Sequence, residues 1–516
     1  MARRAVAVTG ARALPWAAAC AVALMVLGPL VVVMLTAEGS GALSARDWAA
    51  VRFTMTQAVL SALFSVALAV PVARALARRR FAGRRVLIML LGAPFVLPVI
   101  VAVLGLLAVF GNAGLLNGLL AFLGLPQVSV YGLHGVVLAH VFFNLPLAVR
   151  LILQGWAEVP AERFRLAASL GMGPGPVFRH LEWPMLRAIL PGALVIVFLI
   201  CLTSFAVALT LGGGPRATTV ELAIYQAFRF EFDLARAARL AVVQTGLTVA
   251  GAALALAVAR PSGLGPGLDR AVRRWDGDRP AARLADGVWI AAAALFLLTP
   301  MAMIAAGGAA GLLALEGPVF SAAARSLGVA LAAVVLAFLM AVPLAFGAVR
   351  YRALEGVGFL PVAASSLVLG AGLFLIVFPI ADPGRVALPV TAAVNALMAL
   401  PFVLRILLPA LQGVEADYRR LATSLGMEGT AWLRLVVLPR LRAPVGFAAG
   451  LTAALAMGDL GVIALFADPG GATLPLQVFR LMGAYQMEAA QGAAFLLLIL
   501  SLGLFWAFDR GGRGHA

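Results

Sequence analysis

Ala161-Glu162-Arg163-Phe164-Arg165-Leu166-Ala167-Ala168-Ser169-Leu170-Gly171-Met172 has a near copy 255 residues further on, Ala416-Asp417-Tyr418-Arg419-Arg420-Leu421-Ala422-Thr423-Ser424-Leu425-Gly426-Met427. Both copies run on, still in step, to a proline, in Trp183-Pro184 and Leu438-Pro439. In each, a short Ala/Leu/Arg helix is predicted to stop at glycine and a second amphipathic helix to meet proline, the two residues that punctuate helices most strongly. Each copy therefore predicts a compact polar elbow, over 158–190 and 413–443, between two apolar segments. One basic loop between apolar helices says little. Two that match in identity and spacing indicate an internal repeat whose copies share a task, such as docking a partner outside the membrane.

Composition sets the surroundings of these elbows. The chain is 63% hydrophobic and only 12% charged, against about a quarter charged in soluble domains, so it reads as an all-α polytopic protein of the lipid bilayer. The formal net charge is +17, and with no lysine present all 39 basic residues are arginine. These arginines gather between apolar spans, where the positive-inside bias puts them, and nucleic acid is not an expected partner. Without lysine there is no phosphate-loop lysine and no Schiff base, so any nucleotide energy has to come from another subunit. Cys20 and Cys201 lie in apolar stretches and read as packed thiols. The four histidines show no metal-ligand spacing, and neither a metal site nor a cofactor is expected in this chain.

Apolar runs at about 13–35, 56–77, 86–110, 132–154, 190–213 and 237–258 make six spans. After a Gly/Pro-rich charged linker, 261–283, runs at about 284–306, 319–348, 357–380, 386–409, 444–467 and 489–508 make six more. The expected organisation is a first helix with its following segment (1–50), a first repeat domain (51–260), the linker, a seventh helix and loop (284–318), and a second repeat domain (319–510). Arg3, Arg4 and Arg12, the run from Arg74 to Arg85, the first elbow, and Arg270, Arg273, Arg274 and Arg279 all fall on one side of this topology, whereas 111–131 carries no charge and 214–236 mixes Arg216 and Arg229 with three acids. Both termini are thereby predicted cytoplasmic. The repeat extends beyond the elbows: Leu145-Pro146 matches Leu400-Pro401, Arg150 matches Arg405 and Ala217-Thr218 matches Ala472-Thr473, all at 255. Upstream, Val70-Pro71 pairs with Val342-Pro343 at 272, so the first half holds 17 extra residues, for which the uncharged 111–127 stretch has room.

A few polar residues sit inside the apolar spans. His140 and Asn395 occupy matching positions at 255, with Asn144 one turn after His140; Asp459 is the one carboxylate well inside the eleventh span, and its counterpart is Ser204. A charge there costs about 2.5–3.5 kcal/mol on insertion scales, so Asp459 should face the bundle or a wet cavity, with Gly458 and Gly461 letting the helix open. Interhelical hydrogen bonds worth about 1 kcal/mol or less explain such residues as packing; the lining of a pathway through the bundle explains them as function. Both readings stand for His140, Asn144, Ser204, Asn395 and Asp459.

Gly171 with Pro184, and Gly426 with Pro439, stand at the spacing of the cytoplasmic signature of permease subunits in binding-protein-dependent ABC importers, which the elbows resemble. That signature begins Glu-Ala-Ala. Here the glutamate position, six before each glycine, holds Arg165 and Arg420. Most of the chain further resembles the fused, two-domain permease of importers for thiamine and thiamine pyrophosphate, on Val51-Arg52-Phe53 with Gln57-Ala58, Leu138-Ala139-His140-Val141-Phe142-Phe143-Asn144-Leu145-Pro146, Leu211-Gly212-Gly213-Gly214-Pro215-Arg216-Ala217-Thr218-Thr219-Val220-Glu221-Leu222-Ala223-Ile224-Tyr225-Gln226, and Gly458-Asp459 before Leu465-Phe466. The resemblance implies a type I importer permease fold of about twelve transmembrane helices in two homologous halves of six, in a bacterial inner membrane. It implies that Arg165, Leu166, Ala167, Gly171 and Pro184, with Arg420, Leu421, Ala422, Gly426 and Pro439, form coupling helices seated on two copies of an ABC ATPase. A periplasmic thiamine-binding protein would deliver substrate, and ATP-driven closure would rock the halves. A fused ferric-iron permease is the nearest alternative. An ion-coupled secondary transporter would need intramembrane acids or bases, for which Asp459 and His140 are the main candidates, and gives the elbows no role. A membrane enzyme would need a converging catalytic cluster, and none is visible.

Overall fold

The computed structural model describes residues 10–38, 41–92, 97–214, 217–258, 275–427 and 429–513. Arg3, Arg4, Arg216, Arg270, Arg273 and Arg274 of the charge argument, and most of the expected linker, lie outside the described residues. Among the described residues the regular structure is entirely helical. The helices that matter below are α1 (Gly10–Ala37), α2 (Ala45–Arg78), α3 (Val99–Phe110), α4 (Leu133–Glu158), α5 (Ala161–Ser169), α6 (Trp183–Leu202), α7 (Ala206–Leu211), α8 (Leu234–Val258), α9 (Pro280–Gly311), α10 (Gly317–Ala348), α11 (Ser366–Val377), α12 (Ala387–Ser424), α13 (Leu438–Met457), α14 (Gly461–Phe466) and α15 (Met487–Arg513).

Among the described residues, eleven helical segments are long and apolar enough to cross a membrane, and α11 is a twelfth, shorter apolar helix. The expected uninterrupted spans at 86–110 and 357–380 are both broken. The chain forms Arg84–Leu90, then restarts at α3 behind Pro98; in the second half it forms Arg352–Gly358, makes a tight turn over Leu360–Ala363 and restarts at α11. Pro98 and Pro361 bring no backbone N–H to a helical ladder, which is why the ladder begins again after them. At 12 residues α11 is about 18 Å long, short of a roughly 30 Å hydrocarbon layer.

These helix starts also locate the extra residues of the first half. Val99 and Ser366 begin α3 and α11 and stand 267 apart, so five of the seventeen are already absorbed upstream. The other twelve fall between α3 and α4, where the additional helix Leu115–Phe122 sits. Buried Asn117 fixes this insertion: its Nδ2 donates to the Gly111 and Val128 carbonyls at 2.9 Å and its Oδ1 accepts from Val128 N at 2.9 Å. The uncharged 111–127 stretch thus holds most of the excess, not all.

The chain divides into two compact units: Leu43–Ala223 with Gly246–Ala309, and Met1–Ala42 with Ile224–Thr245 and Ala310–Ala516. Each unit holds most of one sequence half together with the leading helix of the other. In the first unit, Phe296 of α9 packs edge-on against Phe142 of α4 and tilts against Phe110 of α3. The Pro300 carbonyl of α9 comes so close to Gly105 of α3 that a β-carbon there would lie 2.7 Å from it. The second unit repeats the arrangement. The Pro29 carbonyl of α1 would lie 2.4 Å from a β-carbon on Gly372 of α11, and Trp16 packs tilted against Tyr351, ring centres 5.9 Å apart. Gly105 and Gly372 are separated by the same 267 as the starts of their helices. The repeat therefore governs how the exchanged leading helices dock.

Candidate functional site

Both elbows close with the same hydrogen bonds. Gly171 and Gly426 sit at φ +63° and +65°. Gly171 N donates to the Ala168 carbonyl and Met172 N to Ala167; Gly426 N donates to Thr423 and Met427 N to Ala422, all at 2.8–3.1 Å. This paired six-to-one and five-to-two pattern needs a left-handed residue after the helix, a conformation that glycine adopts at no steric cost. Ala167 and Ala422 are buried behind the turn, while Leu166 and Leu421 are 61% and 55% exposed. Leu170 and Leu425, one turn on, are also exposed. Each elbow thus presents two outward leucines at i and i+4, a small apolar rib on a polar surface. Leu170 and Leu425 were not singled out as site residues from the sequence, although the helical spacing was there to be read. Arg165 is exposed and pairs with Glu162 at 2.8 Å, and Arg420 is exposed.

The approach to each proline is also duplicated. One widened helical turn occupies Phe178–Glu182 and another Leu433–Val437, with Trp183 N reaching back to the Phe178 carbonyl and Leu438 N to Leu433. A proline within a regular helix would clash with the carbonyl four residues earlier, and a widened turn just ahead of Pro184 and Pro439 relieves that crowding.

Elsewhere the elbows differ. In the first half Val159 is extended and Pro160 interrupts α4 from α5. In the second, α12 runs through as one 38-residue helix, because Glu415 stands where the first half has Pro160. The expectation of a separate short helix in both copies is met only in the first. Buried Glu182 of the first elbow pairs with Arg74 of α2 at 2.8 Å, and that guanidinium lies 5.4 Å from the centre of the Phe178 ring. The corresponding residues, at 272 and 255, are Phe346 and Val437, so two apolar residues stand in the other half where the first has an ion pair.

Within the first unit, His140 and Asn144 belong to a polar layer tying α2, α4 and α6 together. Ser61 Oγ is 3.1 Å from His140 Nδ1; Asn144 Nδ2 donates to the His140 carbonyl at 2.8 Å and lies 3.3 Å from Cys201 Sγ; Gln57 Nε2 donates to the Cys201 carbonyl at 2.9 Å. All five side chains are buried, and His140 Nε2 has no hydrogen-bond partner. Gln57 and Ser61 were missed as partners from the sequence. In the second half their counterparts at 272 are Val329 and Ala333, and Asn395 reaches only the Ala456 carbonyl, at 3.4 Å.

Ser204 and Asp459 both lie in breaks of a spanning helix. The segment Thr203-Ser204-Phe205 separates α6 from α7, and Gly458-Asp459-Leu460 separates α13 from α14, again 255 apart. Asp459 Oδ1 accepts from Gly461 N at 3.3 Å, whereas its Oδ2 is buried without a hydrogen-bond partner. Interrupted helices at membrane depth are where transporters expose backbone groups to their cargo. After the second break, Arg325, Arg480 and Arg229 hold the carbonyls of Ala472, Asp468 and Ala467. Arg480 is held below its ordinary pKa by burial first and then by its cationic neighbours Arg229 and Arg325. Among the described residues no group of three or more His, Cys, Asp or Glu is placed to hold a metal ion.

Twelve apolar helices among the described residues, in two copies of one repeat, each with a polar elbow and an interrupted span, define a multi-pass membrane permease. Residues 333–510 match the family of binding-protein-dependent transport system inner membrane components. The chain is similar to the thiamine transport system permease protein ThiP of Brucella abortus (strain 2308), 38% identical over 499 residues that cover 94% of this chain and 92% of that protein. It is 39% identical to ThiP of Salmonella typhimurium, with 96% of each chain covered, and 40% identical to ThiP of Escherichia coli (strain K12), with 90% and 89% covered. The chain belongs to this family of transport permeases, with the type I importer permease fold.

Proposed function

We propose that this chain is the permease subunit of an ABC importer for thiamine or its phosphates. Two copies of a separate ATPase subunit power it and a periplasmic thiamine-binding protein feeds it. The observation that carries this reading is the duplicated elbow, with its identical glycine closure and its matched exposed leucines, in a chain that aligns along its whole length with thiamine permeases. Each rib, Leu166 with Leu170 and Leu421 with Leu425, seats in a cleft of one ATPase subunit, with Arg165 and Arg420 at its edge. Gly171, Pro184, Gly426 and Pro439 set the angle of the elbow, and Ala167 and Ala422 pack behind it. Nucleotide-driven closure then moves the elbows, and the helices attached to them open the pathway toward one side or the other. Both termini and the elbows lie on the cytoplasmic side of the inner membrane.

Asp459 is the substrate-facing carboxylate in this reading. Its free Oδ2 lies in an unwound stretch inside the eleventh span, and an organic cation such as the thiazolium of thiamine fits a carboxylate there. Asn395 contributes a neutral polar group in the unit that holds Asp459, and Ser204, at the equivalent break, contributes one with His140 and Asn144 in the other unit. The test is uptake of labelled thiamine and of ferric iron by cells expressing the chain with each candidate binding protein and ATPase, for wild type and Asp459→Asn. Thiamine uptake that falls in Asp459→Asn, with normal assembly, supports both statements. Ferric-iron uptake without thiamine uptake overturns the substrate, and unchanged thiamine uptake in the variant removes Asp459 from the pathway.

A further inference from the structure

The residues just after the expected linker are attached to the first elbow. Trp275 packs in the same buried cluster as Met172 and Leu181, and its Nε1 donates to the Met172 carbonyl at 2.9 Å, on the residue that closes the elbow behind Gly171. Two residues on, the Gly277 carbonyl accepts from Arg79 Nη2, and Asp286 of α9, buried, is gripped by Arg78 Nε at 2.8 Å and Arg79 Nε at 2.6 Å. All these residues belong to one compact unit. A strap from 275 to 286 therefore runs from the elbow to the end of α2 and into α9. The Arg74–Glu182 pair adds a second fastening from the same end of α2 to the elbow's outgoing arm.

The second elbow has no need of such a strap. A displacement there passes along the unbroken α12, whereas at the first elbow Pro160 interrupts the helix and a displacement would be absorbed at the break. We infer that Trp275 and Asp286 are positioning residues that make the first elbow move with α2 and α9, so the two elbows convey ATPase motion by different routes: one through a helix, the other through the strap. This rests on the elbows being the ATPase docking surface. The segment joining the halves would then be part of the coupling apparatus and not merely a tether.

The test uses the complete complex of permease, ATPase and binding protein in proteoliposomes, with Trp275→Phe, Asp286→Asn and the conservative Asp286→Glu. Trp275→Phe keeps an aromatic ring in the cluster while losing the N–H donor and part of the ring area, so it serves if Asp286→Asn fails to fold. Amide hydrogen exchange is followed over 161–172 and, as the internal control, over 416–427; transport per ATP hydrolysed is measured alongside. The expected result is exchange severalfold faster in 161–172 alone, with transport per ATP reduced at least twofold and restored in Asp286→Glu. Unchanged exchange over 161–172 in both Trp275→Phe and Asp286→Asn overturns the strap. Faster exchange with unchanged transport per ATP also overturns its coupling role, and Gly171→Val in the same assay then locates the fault: a loss of coupling there leaves the elbow reading standing, and none refutes that reading as well.

Discussion

Replacing Gly171 or Gly426 with valine tests the elbows at their most constrained point. Both glycines lie near φ +65°, and a β-carbon built on either meets no atom within 4 Å. The β-carbon itself meets no clash, so the cost considered is that of backbone strain. For a residue with a β-carbon the left-handed conformation costs about 1–2 kcal/mol, and a β-branched side chain is at the high end. That energy corresponds to a 5–30-fold change in the ratio of closed to open elbow. When the elbow opens, the bonds from residue 172 to Ala167, or from 427 to Ala422, are lost and the leucine rib loses its buried backing. Affinity for the ATPase subunit, measured by titrating it onto the purified permease, should fall by up to the same factor in each single variant and further in the double. Asparagine tolerates the left-handed region, so Gly171→Asn should retain most of the affinity. Val variants with wild-type ATPase affinity and wild-type transport per ATP would refute the assignment of the elbows as the docking surface.

Removing one partner of the buried Arg74–Glu182 pair should destabilise the permease in detergent. Glu182→Ala is expected to cost about 3 kcal/mol, at the low end for buried pairs because Arg74 is a quarter exposed, whereas Arg74→Phe with Glu182→Val, which copies Phe346 and Val437, should recover most of it in thermal unfolding. Gly105→Ala and Gly372→Ala force apart the backbones of α3 and α9, and of α11 and α1, and should each lose about 1–3 kcal/mol. Gly246→Ala, with open space around its β-carbon, should not. Reporter fusions after Arg80 and Arg510 should report cytoplasm and one at Arg229 periplasm; a cytoplasmic signal at Arg229 would reverse the topology.

Local chemistry made the elbows readable. A left-handed glycine and a helix-interrupting proline leave marks on single residues, and their duplication at 255 supplied the rest. The spans were legible because hydrocarbon sets a length. What escaped was non-local. Nothing in α1 or α9 announces that it packs with the other half's helices, since the decisive feature is a glycine more than 190 residues away, at Gly372 for Pro29 and Gly105 for Pro300. The opening around Asp459 was signalled by Gly458 and Gly461, yet Thr203-Ser204-Phe205 breaks its helix with no such residue, so only the repeat relation could have located it. Ser61, the partner of His140, and Gln57, which holds the Cys201 carbonyl, sit on another helix among small apolar residues, where helical periodicity alone gives a packed face.

In the proposed function, the elbows convey energy from ATP hydrolysed on a separate subunit to thiamine moving through this chain. Its most direct test is thiamine accumulation in proteoliposomes containing the permease, its ATPase and the thiamine-binding protein, with ATP or an imposed ion gradient as the only energy source. Uptake should require ATP, the ATPase and the binding protein together, and should fall with coupling in the Gly171→Val, Gly426→Val double variant. Accumulation driven by the ion gradient in the absence of the ATPase would contradict the account.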